Sequence, residues 1–266
     1  MLGRLLLRYR QRQDQARFCE WLVNGKDVWE QNAIADSGSD REIISNLQFK
    51  KGVNFQIKDR LSAAHTFREI FLHRDYDIPM LREAKQIVDV GANIGLFSYY
   101  AMLRSNGFIH AFEADPDAYR LLVQNLGAAG PERCRINHAA VSSRSRLLTF
   151  YVSPVSGWSS LYPVLGARHG RKAEVQGIRL TDYLNSSGVT RVDVLKIDVE
   201  GAEYEVLLED DGLRSFDIGS IVMEVDKNPR EGIQHTFAEM MDFLRHKFSY
   251  VVEKKGGPFP IYHCWN

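Results

Sequence analysis

The chain has 266 residues, enough for one or two domains with a proper core, and its 34 Lys+Arg cancel its 34 Asp+Glu. That balance excludes a chain built to coat nucleic acid, which needs a basic surplus, so no nucleic-acid partner is expected. With 44% hydrophobic and 26% charged residues it is not an acidic disordered chain, and no apolar run approaches the roughly 18 residues of a transmembrane segment.

In chain order, residues 1–35 read as helical, with Leu2, Leu5, Leu6 and Tyr9 near a 3.6 period and arginines at 4, 8, 10, 12 and 17. This basic arm is the candidate surface for a homodimer or peripheral contact, and packing on its own domain or a second copy is favoured over a membrane-surface helix. Ser37-Gly38-Ser39-Asp40 breaks the pattern, Val53–Ile57 alternates like a strand, and Ser62 is read as the cap of a helix running through Phe67, Ile70 and Phe71 and stopping near Pro79. From residue 86 the texture changes: strand Ile87–Val90, glycine turn 91–95, helix Leu96–Leu103, strand Phe108–Phe112, and a helix opened by Asp115-Pro116. Strands follow at Arg135–Val141, 147–152, 174–180, Val192–Val199, Ile218–Val225 and Tyr250–Val252, with helices at Gly201–Leu208 and Phe237–Phe248. Alternation of this kind predicts an α/β fold, a doubly wound, mostly parallel sheet with helices on both faces, plus a mainly helical N-terminal extension. The expected division is 1–80 for the extension and 81–266 for the ligand-binding domain. Cys19, Cys134 and Cys264 are odd in number and lack CxxC spacing, which argues for a reducing compartment. Without a secretory h-region and cleavage site, a cytoplasmic location is expected.

In doubly wound sheets ligands sit beyond the carboxyl ends of the strands, where strand order reverses. The first turn, Gly91-Ala92-Asn93-Ile94-Gly95, lets backbone pass close to a ligand and frees a helix N-terminus to face it. Glu113 ends the second strand 18 residues after Gly95, where a carboxylate can accept from both hydroxyls of a ribose. A dinucleotide fingerprint is GxGxxG, whereas this turn is GxNxG, with Asn93 in place of the middle glycine. Asp89, two residues before the first glycine, is expected to point into the crevice, where a carboxylate suits an ammonium and a sulfonium better than a pyrophosphate. S-adenosylmethionine is such a ligand.

The segments IVDVGANIGLFS, HAFEADPDAYRLLVQN, INHAAVSS, IRLTDYL, VDVLKIDVEGAEYEVLL and IVMEVDKN, in order from about residue 70 to 252, resemble the FkbM family of S-adenosylmethionine-dependent methyltransferases. KIDVEGAE is the family-specific block, and FEADP departs from the commoner FEPxP while keeping Glu113. The resemblance implies a class I methyltransferase sheet and transfer to a hydroxyl, typically of a sugar or polyketide. It implies Asp89, Gly91, Asn93, Gly95, Glu113 and, within INHAAVSS, Ala140 as cofactor-binding positions.

Methyl transfer from a sulfonium is an in-line displacement in which the acceptor oxygen must be aligned and its proton removed. The strand ending Lys196-Ile197-Asp198-Val199-Glu200 places Lys196, Asp198 and Glu200 on one face by the period of two, with Asp198 at the carboxyl edge. Asp198 is the expected base or acceptor-orienting residue; Lys196 is read as a structural ion pair with Asp198 or Glu200 ahead of proton transfer, and Glu200 as a helix cap or a catalytic group. Glu224 and Asp226 end the next strand on one face. They are expected to meet substrate hydroxyls or to cap the loop Lys227-Asn228-Pro229, with a magnesium or calcium site on Asp198, Glu224 and Asp226 as the less favoured reading. Trp158 and Ser159, in a Gly/Ser loop, are candidate acceptor contacts, and Tyr76 with the segment Phe71–Pro79 is a candidate cover over the cofactor. The expected partner is a small-molecule or glycan hydroxyl acceptor. A non-catalytic binding protein and an NAD(P)-dependent oxidoreductase on the same sheet are the competing readings.

Overall fold

The computed structural model describes residues 15–33, 46–153, 158–163, 170–229, 232–255 and 259–266. Seven strands form the central sheet: β1 Gln86–Val90, β2 Phe108–Glu113, β3 Cys134–His138, β4 Val194–Ile197, β5 Ser220–Glu224, β6 Tyr250–Lys255 and β7 Ile261–Trp265. Their spatial order is 3-2-1-4-5-7-6, with β1 to β5 parallel and β7 antiparallel to both β5 and β6. The doubly wound, mostly parallel sheet read from the sequence is present. Its inner strands are apolar on both faces because helices cover both: Ile87, Val88, Val90, Leu195, Ile197, Ile221, Val222 and Met223 are at most 1% exposed.

The helices around the sheet include α1 Leu96–Arg104, α2 Pro116–Ala129, α3 Leu180–Ser186, α4 Glu203–Leu208 and α5 Phe237–Lys247. Two of them, α2 and α5, start at side-chain caps. Asp115 caps α2 by accepting the N–H of Asp117 at 2.8 Å, with Pro116 in the first helical position. Thr236 and Glu239 form a reciprocal capping box at α5, whose last turn carries Arg245, His246 and Lys247 toward the negative end of the helix dipole. Strand order reverses between β2-β1 and β4, and there Lys196 lies opposite Asp89 and Ile197 opposite Val90.

Several elements differ from the sequence reading. The third strand is not continuous to Val141. It ends at His138, and Ala140–Val141 leaves the sheet to pair with Gly177–Ile178 beside the antiparallel hairpin Leu147–Val152/Arg171–Ile178. The Val192–Val199 run is interrupted at Asp193, whose carboxylate accepts the N–H groups of Lys85 (2.7 Å) and Gln86 (3.0 Å). The last strand is longer than Tyr250–Val252, and β7, a strand the periodicity did not reveal, is inserted between β5 and β6.

The described part of the N-terminal extension shares a core with the sheet. The described part comprises a helix over 15–21, the helix Gly25–Ala33, a short hairpin Asn46–Gln48/Asn54–Gln56, and the helix Arg60–Phe67 running into a π-helix Arg68–His73. The cap of the third helix is Asp59, which accepts the Ser62 N–H at 2.8 Å, so Ser62 lies inside the first turn. Phe18, Phe49, Phe55, Phe67 and Phe71 pack in one cluster with Tyr99 and Tyr100 of α1 and with Ile87 and Ile109 of the sheet. A boundary at residue 80 therefore cuts through a shared core. Arg17 donates to the Leu72 carbonyl and so serves packing on its own domain. Leu2, Leu5, Leu6, Tyr9 and the arginines at 4, 8, 10 and 12, like Ser37–Asp40, lie outside the described residues. Among the described residues no helix is long and apolar enough to cross a membrane.

Candidate active site

The turn between β1 and α1 is built from backbone conformations that favour glycine. Gly91 (φ 79°), Asn93 (φ 49°) and Gly95 (φ 97°) all adopt positive φ. A Cβ on Gly91 would fall 1.8 Å from the carbonyl oxygen of Asp198, so the turn lies directly against the end of β4. Gly91 and Ala92 both donate to the Phe112 carbonyl, at 3.0 and 2.8 Å, which ties the turn to β2. Gly95 is the N-cap of α1 and supplies no side chain to its first turn.

Glu113, at the end of β2, is buried and spans two turns: its Oε2 accepts the N–H of Asn93 at 2.6 Å and its Oε1 that of Asp115 at 2.7 Å. Burial pushes this carboxyl up to about 7, against the lowering effect of the Asp115 N–H. Two backbone donors leave further lone-pair directions on the carboxylate. Together with the uncapped helix end, this fits the ribose diol and polar tail of a nucleoside ligand. Ala140 is buried in a small cluster with Ala114, Phe150, Val152 and Val175 beneath the same strand ends.

Asp89 is placed differently from the expectation. It is 0% exposed; its Oδ2 accepts from Ser98 Oγ at 2.7 Å and its Oδ1 lies 3.2 Å from the Lys196 ammonium. The side chain thus points into the sheet interior, where the neighbouring strand supplies a cation, and not into an open crevice. Lys196, also buried, donates to the Gly91 carbonyl at 2.6 Å and lies 3.7 Å from Asp198 Oδ2. Burial by itself would lower its pKa, but the charges of Asp89 and Asp198 outweigh that and raise it, so Lys196 is a permanent cation under the turn. The ion pair of Lys196 with Asp198 is present at 3.7 Å, and a closer one is formed with Asp89 at 3.2 Å.

Asp198 follows β4 with its side chain one-third exposed, and Tyr76 donates to its Oδ2 at 3.3 Å. Glu200 does not continue the strand alternation: β4 ends at Ile197, and Glu200 takes a positive φ of 54°. Nor is it the cap of α4, whose N-cap is Ala202. Its carbonyl instead accepts from Ser160 Oγ at 2.8 Å.

Glu224 closes β5. Burial, then the charges of Asp198, Glu200 and Glu69, push its carboxyl up to about 9, so it holds a proton at neutral pH. Asp226 accepts the N–H of Asn228 at 2.9 Å, which makes it a cap of the following loop. Among the described residues no three Asp, Glu, His or Cys side chains are grouped to hold a metal, which corrects the magnesium or calcium reading of Asp198, Glu224 and Asp226.

The segment 158–163 straps the strand ends together. Ser159 Oγ donates to Asp115 Oδ2 at 2.8 Å and accepts the Ser153 N–H at 2.9 Å, and Tyr162 donates to Glu205 Oε2 at 3.2 Å. The Ser159 hydroxyl is therefore engaged within the protein, while Trp158 is 53% exposed beside it. Lys58, which reaches Asp115 Oδ2 at 3.3 Å, and Glu205, which gathers Ser142, Ser143 and Tyr162, are organising residues that the sequence reading passed over. Glu205 lies just after the KIDVEGAE block, the one signal that could have found it. His110 is satisfied by Tyr183 and Gln86. Two surface concavities, about 400 Å³ beside α5 and about 510 Å³ beside α3, contain none of the strand-end residues above.

Residues 89–252 match the sequence profile of the methyltransferase FkbM domain. The chain is 28% identical over 252 residues to 31-O-demethyl-FK506 methyltransferase FkbM of Streptomyces tacrolimicus, with 80% of this chain and 92% of that protein covered. It is 33% identical over 180 residues to methyltransferase sdnD of Sordaria araneosa, covering 56% of this chain and 69% of the relative. It is 26% identical over 136 residues to 2-O-methyltransferase NoeI of Sinorhizobium fredii, covering 46% and 55%.

Proposed function

The chain belongs to the methyltransferase FkbM domain family, and on that premise we propose that it transfers a methyl group from S-adenosylmethionine to a hydroxyl of a saccharide or secondary metabolite, with Asp198 taking the proton. One observation carries this reading. The Gly91–Gly95 turn has Glu113 on one side, through the hydrogen bond to Asn93, and the partly exposed Asp198 on the other, through the contact of Gly91 with the end of β4. S-adenosylmethionine, when bound, supplies an electrophilic methyl group on a sulfonium. Gly91, Asn93, Gly95 and Glu113 hold its nucleoside, and Ala140 borders it. The Lys196–Asp89 pair keeps the turn in place from beneath. Asp198 accepts the hydroxyl proton as the oxygen–carbon bond forms and the methyl carbon–sulfur bond breaks, leaving S-adenosylhomocysteine; an alkyl alcohol requires such a base at neutral pH. Glu224, protonated, offers a donor to the acceptor, and the exposed Trp158 offers it an apolar face. Two relatives carry oxygen acceptors in their names, a 2-O-methyltransferase and a 31-O-demethyl-FK506 methyltransferase, which supports an oxygen acceptor here. The family match disfavours the oxidoreductase alternative.

The experiment is calorimetry with S-adenosylhomocysteine, followed by incubation with labelled S-adenosylmethionine and an extract of low-molecular-weight metabolites and glycans. Binding and a labelled hydroxyl compound are expected. Asp198→Asn is expected to keep the affinity and lose at least about 100-fold in transfer rate. Failure of the wild-type protein to bind S-adenosylhomocysteine, or full transfer by Asp198→Asn, refutes the assignment.

A further inference from the structure

We infer that Tyr76 is a positioning residue for the Asp198 carboxylate, contributed to the site by the segment that precedes the sheet; this rests on the reading of Asp198 as the proton acceptor. Tyr76 is 3% exposed, and its hydroxyl donates to Asp198 Oδ2 at 3.3 Å. The same oxygen faces the Lys196 ammonium at 3.7 Å. The phenol and the ammonium both face Oδ2, and among the described residues no hydrogen bond reaches Oδ1. A carboxylate held by one oxygen presents the other in a fixed direction, which is what abstraction of a hydroxyl proton needs.

The phenol is itself held in place. Arg74, in the left-handed region at φ 58°, ends the π-helix Arg68–His73 and turns the chain toward the sheet. On one side of Tyr76 the Asp75 carbonyl lies 2.7 Å from His263 Nε2 on β7, and Lys255 on β6 bridges Glu69 and Asp75. On the other side Asp77 pairs with Arg104 of α1 at 3.2 Å. The ring packs edge-on to Phe97, 6.1 Å between centroids, and lies 5.9 Å from the Lys196 ammonium. Burial first, then the charges of Asp198, Glu224 and Glu69, push the phenol far above its ordinary range, so it remains a donor and does not compete as a base.

Tyr76→Phe removes the donor and keeps the ring. S-adenosylhomocysteine affinity within about twofold of wild type is expected, while methyl transfer into the metabolite and glycan extract at saturating cofactor falls about tenfold or more. The 13Cγ resonance of Asp198, assigned by its loss in Asp198→Asn, is expected to move in Tyr76→Phe. Transfer within twofold of wild type, an unmoved resonance, or an affinity loss as large as the rate loss each overturns the inference. Full transfer by Asp198→Asn sinks the parent reading instead. An inactive Asp198→Asn beside a fully active Tyr76→Phe leaves the parent reading standing and removes this one.

Discussion

Replacing Lys196 by Met removes a cation whose side chain is 5% exposed and which faces Asp89 Oδ1 at 3.2 Å. At that separation two unit charges attract by about 5 kcal/mol with an effective dielectric of about 20. The variant leaves Asp89, 0% exposed, with Ser98 as its hydrogen-bond donor and no cation at Oδ1, so a loss of about 3–5 kcal/mol in unfolding free energy is expected. The Gly91 carbonyl also loses its donor, so S-adenosylhomocysteine affinity falls with stability. Urea denaturation with linear extrapolation measures the first effect. A cycle with Asp89→Leu isolates the pair, because removing both charges is expected to recover most of the loss. The folded pKa of Lys196 lies above its ordinary 10.5. The pair's contribution is therefore complete below that value and disappears as pH rises through the higher folded value. Additive single-variant effects, or a Lys196→Met loss below about 1 kcal/mol, would show that the pair is not what braces the turn.

Two further outcomes follow from the same strand ends. Glu113 titrates near 7 when folded against 4.5 ordinarily, so its contribution is present below 4.5 and lost as pH climbs through about 7. Without ligand, wild-type stability relative to Glu113→Gln should drop by up to about 3 kcal/mol between acid and mildly alkaline pH, and a flat difference would contradict the burial argument. Gly91→Ala sets a Cβ 1.8 Å from the Asp198 carbonyl at a φ of 79°. Loss of at least about 2 kcal/mol and of S-adenosylhomocysteine binding is expected, and a stable, binding variant would mean the turn can move off β4.

Much of the sheet was legible because a strand buried on both faces writes itself as an apolar run, as in Ile221–Met223. The start of α2 was legible for a different reason, since Asp115-Pro116 acts within a few residues of itself. β7 was not, because it follows a Gly/Pro stretch near the end of the chain and its place between β5 and β6 rests on pairing with strands read separately. The period of two failed at Glu200, where one positive φ ends the alternation that Lys196 and Asp198 share.

The sequence by itself determined the alternating architecture, the glycine turn and the place of Glu113 at the end of the second strand, since each is specified by short-range pattern. What the tertiary structure alone decided is how the charges are spent. Asp89 meets Lys196, and Asp198 meets Tyr76, across more than 100 residues of chain. The Glu224 carboxyl is pushed up by its burial first, and then by carboxylates that the π-helix, the end of β4 and the loop after it bring beside β5. A formal charge of zero conceals this, because pairing depends on distance and burial in space, which composition does not carry.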